Sequence, residues 1–269
     1  MSKHDHKLTA DFFWRGEIDP NFDLKNVWEG FESEDFCKHK RRELVALLKG
    51  GTERYRVIAK QVRCCEASAR CCLPICPICG GRYRRWIVSR ALSLLSVFSD
   101  ACHLTYIPEP RIDGSTPTRH DLIEMNRWLK GRLRVALGVD FRAIGWIEVS
   151  YHARFDCLLP HIHIICATTK AKLNTARIHD LRDDRLIYRP WEVSKIAQEN
   201  LIERTSYAFK QFQANRPQMP YVPKRKKPLK LSRPRIGELK YKRRRARLLA
   251  SMTFRELTVV MGWKRQIFG

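Results

Sequence analysis

One stretch decides how this chain folds: Leu159-Pro160-His161-Ile162-His163-Ile164-Ile165-Cys166. It is short, apolar and rich in isoleucine, which favours a buried β-strand. Residues two apart on a strand point to the same face, so we expect His161 and His163 to lie side by side. Two imidazoles in that arrangement are close enough to hold one metal ion. Paired histidines on an alternating strand are more often structural, so the metal interpretation depends on the residues around them.

A glutamate on the preceding strand is the first such residue. Residues 143–151 have the pattern of a strand on which Trp146, Glu148 and Ser150 share one face. An antiparallel neighbour would bring Glu148 close to the two histidines. A carboxylate within an apolar strand is costly unless it is paired or bound to a metal. The alternative is a Glu148 that points outward into solvent.

The order of the predicted elements indicates an α+β fold. Strands at 101–107, 143–151 and 160–168 are expected side by side in a central antiparallel sheet of four or five strands, with helices on one face. Ser33 is the expected N-cap of the first helix, and Gly50-Gly51 ends it. The expected helices cover 33–49, 52–62, a stretch ending near residue 98, 118–137, 191–213 and about 252–265.

Cysteines cluster directly after the second predicted helix. Six of the ten cysteines fall within residues 64–79. The Cys76-x-x-Cys79 pair can supply two ligands from one tight turn, and upstream cysteines can complete a tetrahedral zinc site that leaves no open position. The ligands expected for this structural zinc are Cys65, Cys71, Cys76 and Cys79, with Cys64 and Cys72 as alternatives to their neighbours. A redox Cys-x-x-Cys is the rival interpretation, but it leaves the other four cysteines unexplained.

The charge of the chain points to a polyanionic partner. The net charge is +24, far more than solubility requires, and nucleic acid is the simplest such partner. A protein that binds RNA or a membrane surface without any chemistry is the alternative. No apolar run approaches the roughly 18 residues of a membrane span, and the N-terminus lacks a secretory pattern. We therefore expect a cytoplasmic protein whose cysteines are metal ligands and buried thiols, not disulfides.

Half of this charge lies near the C-terminus. Residues 224–247 contain thirteen Lys or Arg residues and one acid, Glu238, among several prolines. Such a run predicts a basic arm that stays disordered until it binds DNA. A nuclear-type localisation signal is the alternative.

One tyrosine has a distinctive setting. Glu203, Tyr207 and Lys210 are spaced to line one face of the predicted 191–213 helix. The spacing alone is also compatible with an ordinary amphipathic helix.

Taken in order, these motifs resemble those of the HUH-endonuclease replication initiators of rolling-circle plasmids, in the single-tyrosine family. Pro160-His161-Ile162-His163 resembles the Pro-His-x-His motif of that family, and residues 146–150 resemble the strand before it. The remaining similar segments are His103-Leu104-Thr105-Tyr106, where the family has threonine at the last position, Glu203-x-x-x-Tyr207-x-x-Lys210, and the cysteines 71, 76 and 79. The resemblance covers roughly residues 60–215.

The resemblance implies a nicking enzyme built on an antiparallel HUH palm. Tyr207 would attack one DNA strand at the origin, leaving a 5′-phosphotyrosine link and a free 3′-OH primer. Glu203 would activate the water or 3′-OH that ends the cycle, and Lys210 would orient the phosphate or favour the phenolate. His161, His163 and Glu148 would hold a catalytic Mn²⁺ or Mg²⁺, because two imidazoles and one carboxylate leave open positions for phosphate and water.

The sequence also suggests how the chain is organised, although the two terminal arms have no counterpart in the family, and the resemblance suggests what the chain meets. The expected parts are an N-terminal arm with helices (1–60), a zinc knuckle and helix (61–98), an endonuclease core (99–215) and a basic DNA-binding arm (216–269). The expected partners are origin DNA, single-stranded or in a hairpin, and a host helicase and polymerase in a bacterial cytoplasm. An HUH transposase, a mobilisation relaxase and a non-catalytic basic zinc protein that binds nucleic acid are the alternatives.

Overall fold

The structure, a computed structural model, describes most of the chain. The described residues are 32–66, 68–108, 116–152, 157–175, 191–210, 236–263 and 267. Two predictions concern other parts of the chain. The N-terminal arm up to residue 31 and the first part of the basic arm, 211–235, lie outside the described residues.

A five-stranded antiparallel sheet forms the centre of the fold, as the sequence predicted. Its strands are β1 (Ala101–Tyr106), β2 (Ala143–His152), β3 (Cys157–Cys166), β4 (Trp191–Ile196) and β5 (Thr258–Met261). They are ordered β4-β1-β3-β2-β5 across the sheet. β3, which carries the two histidines, is the middle strand and is buried along its whole length. Each of its neighbours therefore adds side chains to the face on which the histidines lie.

The described helices surround this sheet. They are α1 (Glu34–Lys49), α2 (Glu53–Arg63), α3 (Pro77–Leu95), α4 (Arg119–Leu137), α5 (Lys170–Thr175), α6 (Leu201–Ala208), α7 (Ile236–Ala250) and α8 (Phe254–Leu257). The Ser33 side chain accepts a hydrogen bond from the Phe36 N–H, which confirms the predicted N-cap of α1. At the end of α4, Gly138 has φ +90°, a conformation that glycine adopts without strain.

Helices pack on both faces of the sheet, so the prediction of helices on one face is wrong. Trp146 lies on the histidine face, and its ring centroid is 5.7 Å from that of Tyr83 on α3. Tyr106 points to the opposite face, where its ring is 5.6 Å from Trp128 on α4. The near-continuous apolar run of β3 is typical of a strand covered on both sides.

The long helix predicted over 191–213 is two different elements. Trp191–Ile196 is β4, which pairs antiparallel with β1 at the edge of the sheet. A 3₁₀ turn, Gln198–Asn200, follows it, and the described α-helix is Leu201–Ala208. Trp191, Val193 and Ile196 have side chains that favour strands, and pairing with β1 outweighs the helical spacing. The predicted helix is therefore wrong over residues 191–196, but its tyrosine segment is helical.

The second half of the predicted basic arm is folded. Apolar residues of α7, including Tyr241, Leu248 and Leu249, are buried. Arg245 Nε donates to Val149 O at 2.5 Å, beside a stretch of β2 that β5 does not reach. The expected disorder is wrong for residues 236–248, because apolar residues among the cations give the helix a buried face.

A strand follows where the sequence predicted a short C-terminal helix. That helix is a single turn, α8, and residues 258–261 continue as β5 against β2. The Thr258 hydroxyl lies 2.5 Å from that of Tyr83, which ties β5 to α3. Among the described helices, none combines the length and apolar composition that a membrane span needs.

Candidate functional site

Four cysteine sulfurs converge beside the N-terminus of α3. The Sγ atoms of Cys65, Cys71, Cys76 and Cys79 all lie within 4.8 Å of one another. Cys65 Sγ is 3.4 Å and Cys71 Sγ is 3.8 Å from Cys79 Sγ. Tetrahedral zinc with Zn–S bonds of about 2.3 Å places its sulfurs about 3.8 Å apart. The cluster could therefore hold a metal such as zinc.

The structure also decides between neighbouring cysteines. Cys64 is exposed, whereas the next residue, Cys65, is buried and faces the cluster. Cys72 has φ +52°, and its Sγ lies 3.7 Å from the Arg70 carbonyl instead of in the cluster. The left-handed backbone at Cys72 thus turns one cysteine inward and the next away.

The proximity of the four sulfurs affects their protonation. Hydrogen bonds, foremost from Cys71, lower the pKa of Cys65, whereas hydrogen bonding to Cys65 raises the pKa of both Cys76 and Cys79. One thiolate is thus stabilised at the expense of its neighbours. Four thiolates at this spacing require a cation, which is the chemical reason to expect a metal.

The second candidate site lies on the histidine face of the sheet. In the antiparallel register Glu148 is opposite His161, and Trp146 and Thr105 are each opposite His163. His163 is the most connected member. Its Nδ1 lies 3.2 Å from Thr105 Oγ1, and its Nε2 lies 3.4 Å from Glu148 Oε2. The hairpin of β2 and β3 therefore brings the predicted carboxylate to one of the predicted histidines.

His161 lies further from that pair. Its ring centroid is 6.3 Å from that of His163, and its Nε2 is 3.2 Å from Ser150 Oγ. The three predicted ligands, His161, His163 and Glu148, share one face and are each only 6–7% exposed. Their ligand atoms do not all lie within 4.8 Å of one another; within the described ranges only the cysteine cluster meets that condition.

A third histidine joins this face from β1. His103 is 6% exposed, and its ring stacks on His163 at a centroid distance of 5.4 Å. Burial, with the charges of His163 and Arg204, lowers the pKa of His103 to about 3, so the imidazole is neutral at pH 7. Among the described residues, neither His103 Nε2 nor Glu148 Oε1 has a hydrogen-bond partner, although both atoms are buried. Such orphaned atoms are rare in folded proteins and mark a candidate binding site.

Tyr207 meets the histidines edge-on. Its ring centroid is 5.8 Å from His103 and 5.5 Å from His163, at interplanar angles of 81° and 77°. Tyr207 is partly exposed, whereas both histidine rings are buried. The tyrosine that the sequence singled out thus lies at the solvent side of the His161/His163 pair.

An arginine anchors the helix that carries Tyr207. Arg84 on α3 donates from Nε and Nη2 to the Ser206 carbonyl, at 3.2 and 2.9 Å, and from Nη2 to Ser206 Oγ at 2.7 Å. Its Nη1 pairs with Glu32 Oε1 at 2.5 Å. Arg84 is 3% exposed, so these contacts are shielded from water. Because α3 starts at the cysteine cluster, Arg84 links that cluster to the residue before Tyr207.

The other two members of the predicted tyrosine face are placed differently. Glu203 is on α6 but exposed, one turn before Tyr207. Lys210 lies beyond the last helical residue, Ala208, and its N–H donates to the Tyr207 carbonyl at 3.0 Å. The prediction that Lys210 continues a helical stripe is therefore wrong, because α6 ends too early.

The donor atoms on the histidine face are of the types that a divalent cation accepts, but they do not yet have the spacing that it needs. Imidazoles with one carboxylate are a donor set that Mn²⁺ accepts, and the unpartnered Glu148 Oε1 is a free donor. His161 Nε2, however, already contacts Ser150, and the ligand atoms of the two histidines and Glu148 do not all lie within 4.8 Å of one another. Holding an ion therefore requires the side chains to draw together.

No family model, curated protein or solved structure matches this chain. The functional assignment rests on the motifs and on the geometry of the site.

Sequence reasoning missed three residues at this site. His103 lies in the segment that resembles the first motif of the family, and the signal that could have found it is its position two before Thr105, which places both on one strand face. Arg204 and Arg84 carry no local signal. They reach the site only through the packing of α6 and α3.

Proposed function

We propose that the protein is a rolling-circle replication initiator that nicks one DNA strand through Tyr207. The observation that carries the proposal is the position of the Tyr207 ring, edge-on to His103 and His163 at the solvent side of a buried His–Glu cluster. A nucleophile must reach a phosphodiester from outside while the groups that stabilise charge lie behind it. The order of the motifs along the chain supports the same function.

The reaction is a transesterification in which each bond formed replaces one broken. The Tyr207 oxygen bonds to the scissile phosphorus, and the bond from phosphorus to the 3′ oxygen breaks. The proton that the phenol loses equals the proton that the 3′ oxygen gains, so the products are a 5′-phosphotyrosine and a free 3′-OH. The phosphodiester energy is kept, which allows the strand to be rejoined later.

The groups behind Tyr207 have distinct roles. His161, His163 and Glu148 would hold a divalent cation, which polarises the phosphate when bound. His103 is neutral, so it keeps the Tyr207 ring in place without adding a positive charge to that of the divalent cation on the buried face. The carboxylate of Glu203, exposed one turn before Tyr207, is placed to receive a proton from the water or 3′-OH that ends the cycle.

Arg204 is a better candidate than Lys210 for binding the phosphate. It is exposed on α6, and its charge contributes to lowering the pKa of His103, so it acts on this face of the sheet. A guanidinium can also hold two phosphate oxygens at once. Lys210 lies past the end of the helix.

The cysteine cluster is proposed to hold zinc in a structural role. Four thiolates fill a tetrahedral zinc site, and three of the four cysteines are buried. Through α3 and Arg84 it supports the helix of the nucleophile.

The test is formation of a covalent adduct with a single-stranded oligonucleotide in the presence of Mn²⁺, resolved on a denaturing gel. The wild-type protein should form it, and Tyr207→Phe should form none while binding the oligonucleotide within about fivefold, because one hydroxyl contributes only about 1 kcal/mol or less to affinity. Tyr55→Phe on α2 is the matched control, which should behave as wild type. An adduct with Tyr207→Phe would assign the nucleophile to another residue.

One observation favours a second candidate, a protein that binds nucleic acid without cutting it. The histidines and Glu148 are only 6–7% exposed, as expected for a structural polar cluster. The same assay separates the two. A wild-type protein that binds the oligonucleotide but forms no adduct with Mn²⁺ or Mg²⁺ is a binding protein.

A further inference from the structure

A helix pair next to the cysteine cluster presents a cationic surface that the proposed nicking site does not use. α1 and α2 are joined by only three residues, Gly50, Gly51 and Thr52. They pack through an apolar seam formed by Val45, Leu48, Ile58, Ala59 and Val62, all buried. The opposite side of α2 is left open to solvent.

The open side of α2 is strongly basic. Its exposed residues are Glu53, Arg54, Arg56, Val57, Lys60, Gln61 and Arg63. Arg56, Lys60 and Arg63 are spaced by four and three residues, so they form one stripe along the helix, while Arg54 and Gln61 lie on the other flank. Val57, at 50% exposure, lies between them. Four cations thus frame an apolar centre with one acid at its end.

These cations differ from those of α1. On α1, Lys38 pairs with Glu34 at 3.0 Å, and Lys40 pairs with Glu43 at 2.7 Å. On α2, Arg56 has a loose pair with Glu53 at 3.7 Å. Arg54, Lys60 and Arg63 form no ion pair with any described residue. A cationic face on which the one acid, Glu53, lies at the end of the helix is available to an external polyanion.

Two hydrogen bonds tie the α1–α2 pair to the rest of the fold. Arg41 on α1 donates from Nη1 to the Cys65 carbonyl at 2.7 Å, so the cysteine cluster fixes the end of α2. Arg243 on α7 donates from Nε to the Leu47 carbonyl at 2.9 Å. α7, which contacts both α1 and α2, is itself rich in lysine and arginine. A helix that is held in place and framed by positive charge is suited to enter a groove of a polyanion.

We propose that the exposed face of α2 is a docking surface for duplex DNA, which receives the helix in its major groove. An α-helix fits that groove. The cations on its two flanks, Arg54 on one side and Arg56, Lys60 and Arg63 on the other, would contact phosphates, and Val57 between them would face the bases. A single strand is the poorer fit, because its binding relies on exposed aromatic side chains for stacking, and this face has none. Double-stranded RNA is excluded by its deep, narrow major groove.

This surface supplies a function separate from cutting. Tyr207 acts on one strand, whereas α2 would hold the flanking duplex and so choose where the protein binds. The inference requires that the protein binds DNA. It does not require that the protein cuts DNA, so it does not depend on the chemistry at Tyr207.

The test measures equilibrium affinity by fluorescence anisotropy in Tyr207→Phe protein without added divalent metal. The probes are a short mixed-sequence DNA duplex, oligo-dT and an RNA duplex of the same sequence. Arg56→Gln with Lys60→Gln is compared with Arg132→Gln and Arg134→Gln, an exposed pair on α4 that removes the same charge. All four side chains are exposed, and thermal melting checks that both double variants fold.

The α2 variant should bind the DNA duplex about tenfold more weakly, and its slope of log affinity against log salt should fall by about 2, since each lost phosphate contact removes about 0.9. In the α4 variant, the loss of duplex affinity and the fall in the salt slope should each be less than half as large. The oligo-dT affinity of the α2 variant should be nearly unchanged. Equal losses in the two variants would overturn the proposal. So would an equal loss on oligo-dT, or equal wild-type affinity for RNA and DNA duplexes.

Discussion

The cysteine cluster and the histidine face are both groups of metal-ligand side chains, but they are built differently. The cysteine ligands come from fifteen consecutive residues, 65–79, and their sulfurs already lie at the spacing of a tetrahedral thiolate site. The histidine face draws its members from three strands and a helix. There His163 contacts Glu148 and Thr105, and His161 contacts Ser150. His103 Nε2 has no hydrogen-bond partner among the described residues.

The difference suggests a division between a permanent and a transient site. A cluster whose geometry is already closed binds its metal during folding, and the metal becomes part of the fold. A face whose donors are spread and partly unsatisfied can accept an ion or a phosphate only by rearranging. That behaviour suits a site that binds and releases its ligand in each cycle.

The largest expected effect comes from opening the closed cluster. Cys76→Ser with Cys79→Ser should lose the bound metal and much of the fold, because a structural zinc contributes roughly 10 kcal/mol of binding free energy. Metal analysis of the purified protein and thermal unfolding measure both effects. Cys64→Ser with Cys72→Ser is the matched control and should keep the metal. If the Cys76/Cys79 variant retains its metal, the cluster has been assigned wrongly.

Breaking the link between the two regions should have the next largest effect. Arg84→Ala leaves Glu32 without its partner in a protected site, so the free energy of unfolding should fall by about 3–5 kcal/mol. Arg82→Ala, on the same helix, should cost less than about 1 kcal/mol. Urea denaturation measures both.

Arg84→Lys keeps the charge but loses the forked hydrogen bonds to Ser206, so adduct formation should slow while oligonucleotide affinity holds. Equal adduct rates for Arg84→Lys and wild type would show that the Arg84 hydrogen bonds do not support the reaction at Tyr207.

A reversible response to metal should follow at the histidine face. Added Mn²⁺ should raise the free energy of unfolding by about 2.7 kcal/mol at a hundredfold excess over its Kd, and chelation should reverse the gain. Glu148→Gln should abolish the response, and Glu192→Gln, an exposed carboxylate on β4, should not. The measurement is thermal unfolding with and without Mn²⁺. A wild-type protein that Mn²⁺ fails to stabilise would leave this face without a metal role.

The effect that is smallest near neutral pH, and grows as the pH falls, is a pH dependence that comes from His103. Its folded pKa of about 3 lies below the usual value of about 6.5, so the unfolded chain takes up the proton first as the pH falls. His103 should therefore reduce stability as the pH drops from about 6.5 to about 3, by at most about 1.4 kcal/mol per pH unit. His103→Gln should flatten that part of the stability curve, whereas His120→Gln, at an exposed site on α4, should not. Identical curves for wild type and His103→Gln would contradict the burial of a neutral imidazole.

Several features followed from the sequence because their causes are local. The alternation on β2 and β3 predicted that Glu148 and the two histidines share a face, since side chains on a strand repeat every two residues. Ser33 marked the start of α1 because its hydroxyl satisfies a backbone N–H only three residues away. The Cys76-x-x-Cys79 spacing predicted two ligands on one turn for the same reason.

The rest was decided by packing between segments far apart in the chain. Pairing with β1 makes residues 191–196 a strand, and a buried face makes residues 236–250 a helix within the fold. The choice of Cys65 over Cys64 depends on which thiol is turned into the cluster. The position of Tyr207 over His103 and His163 depends on α3, through Arg84, holding α6 against the sheet. Sequence alone placed these residue types on their elements, but only burial and hydrogen bonding across the fold determined which of them meet.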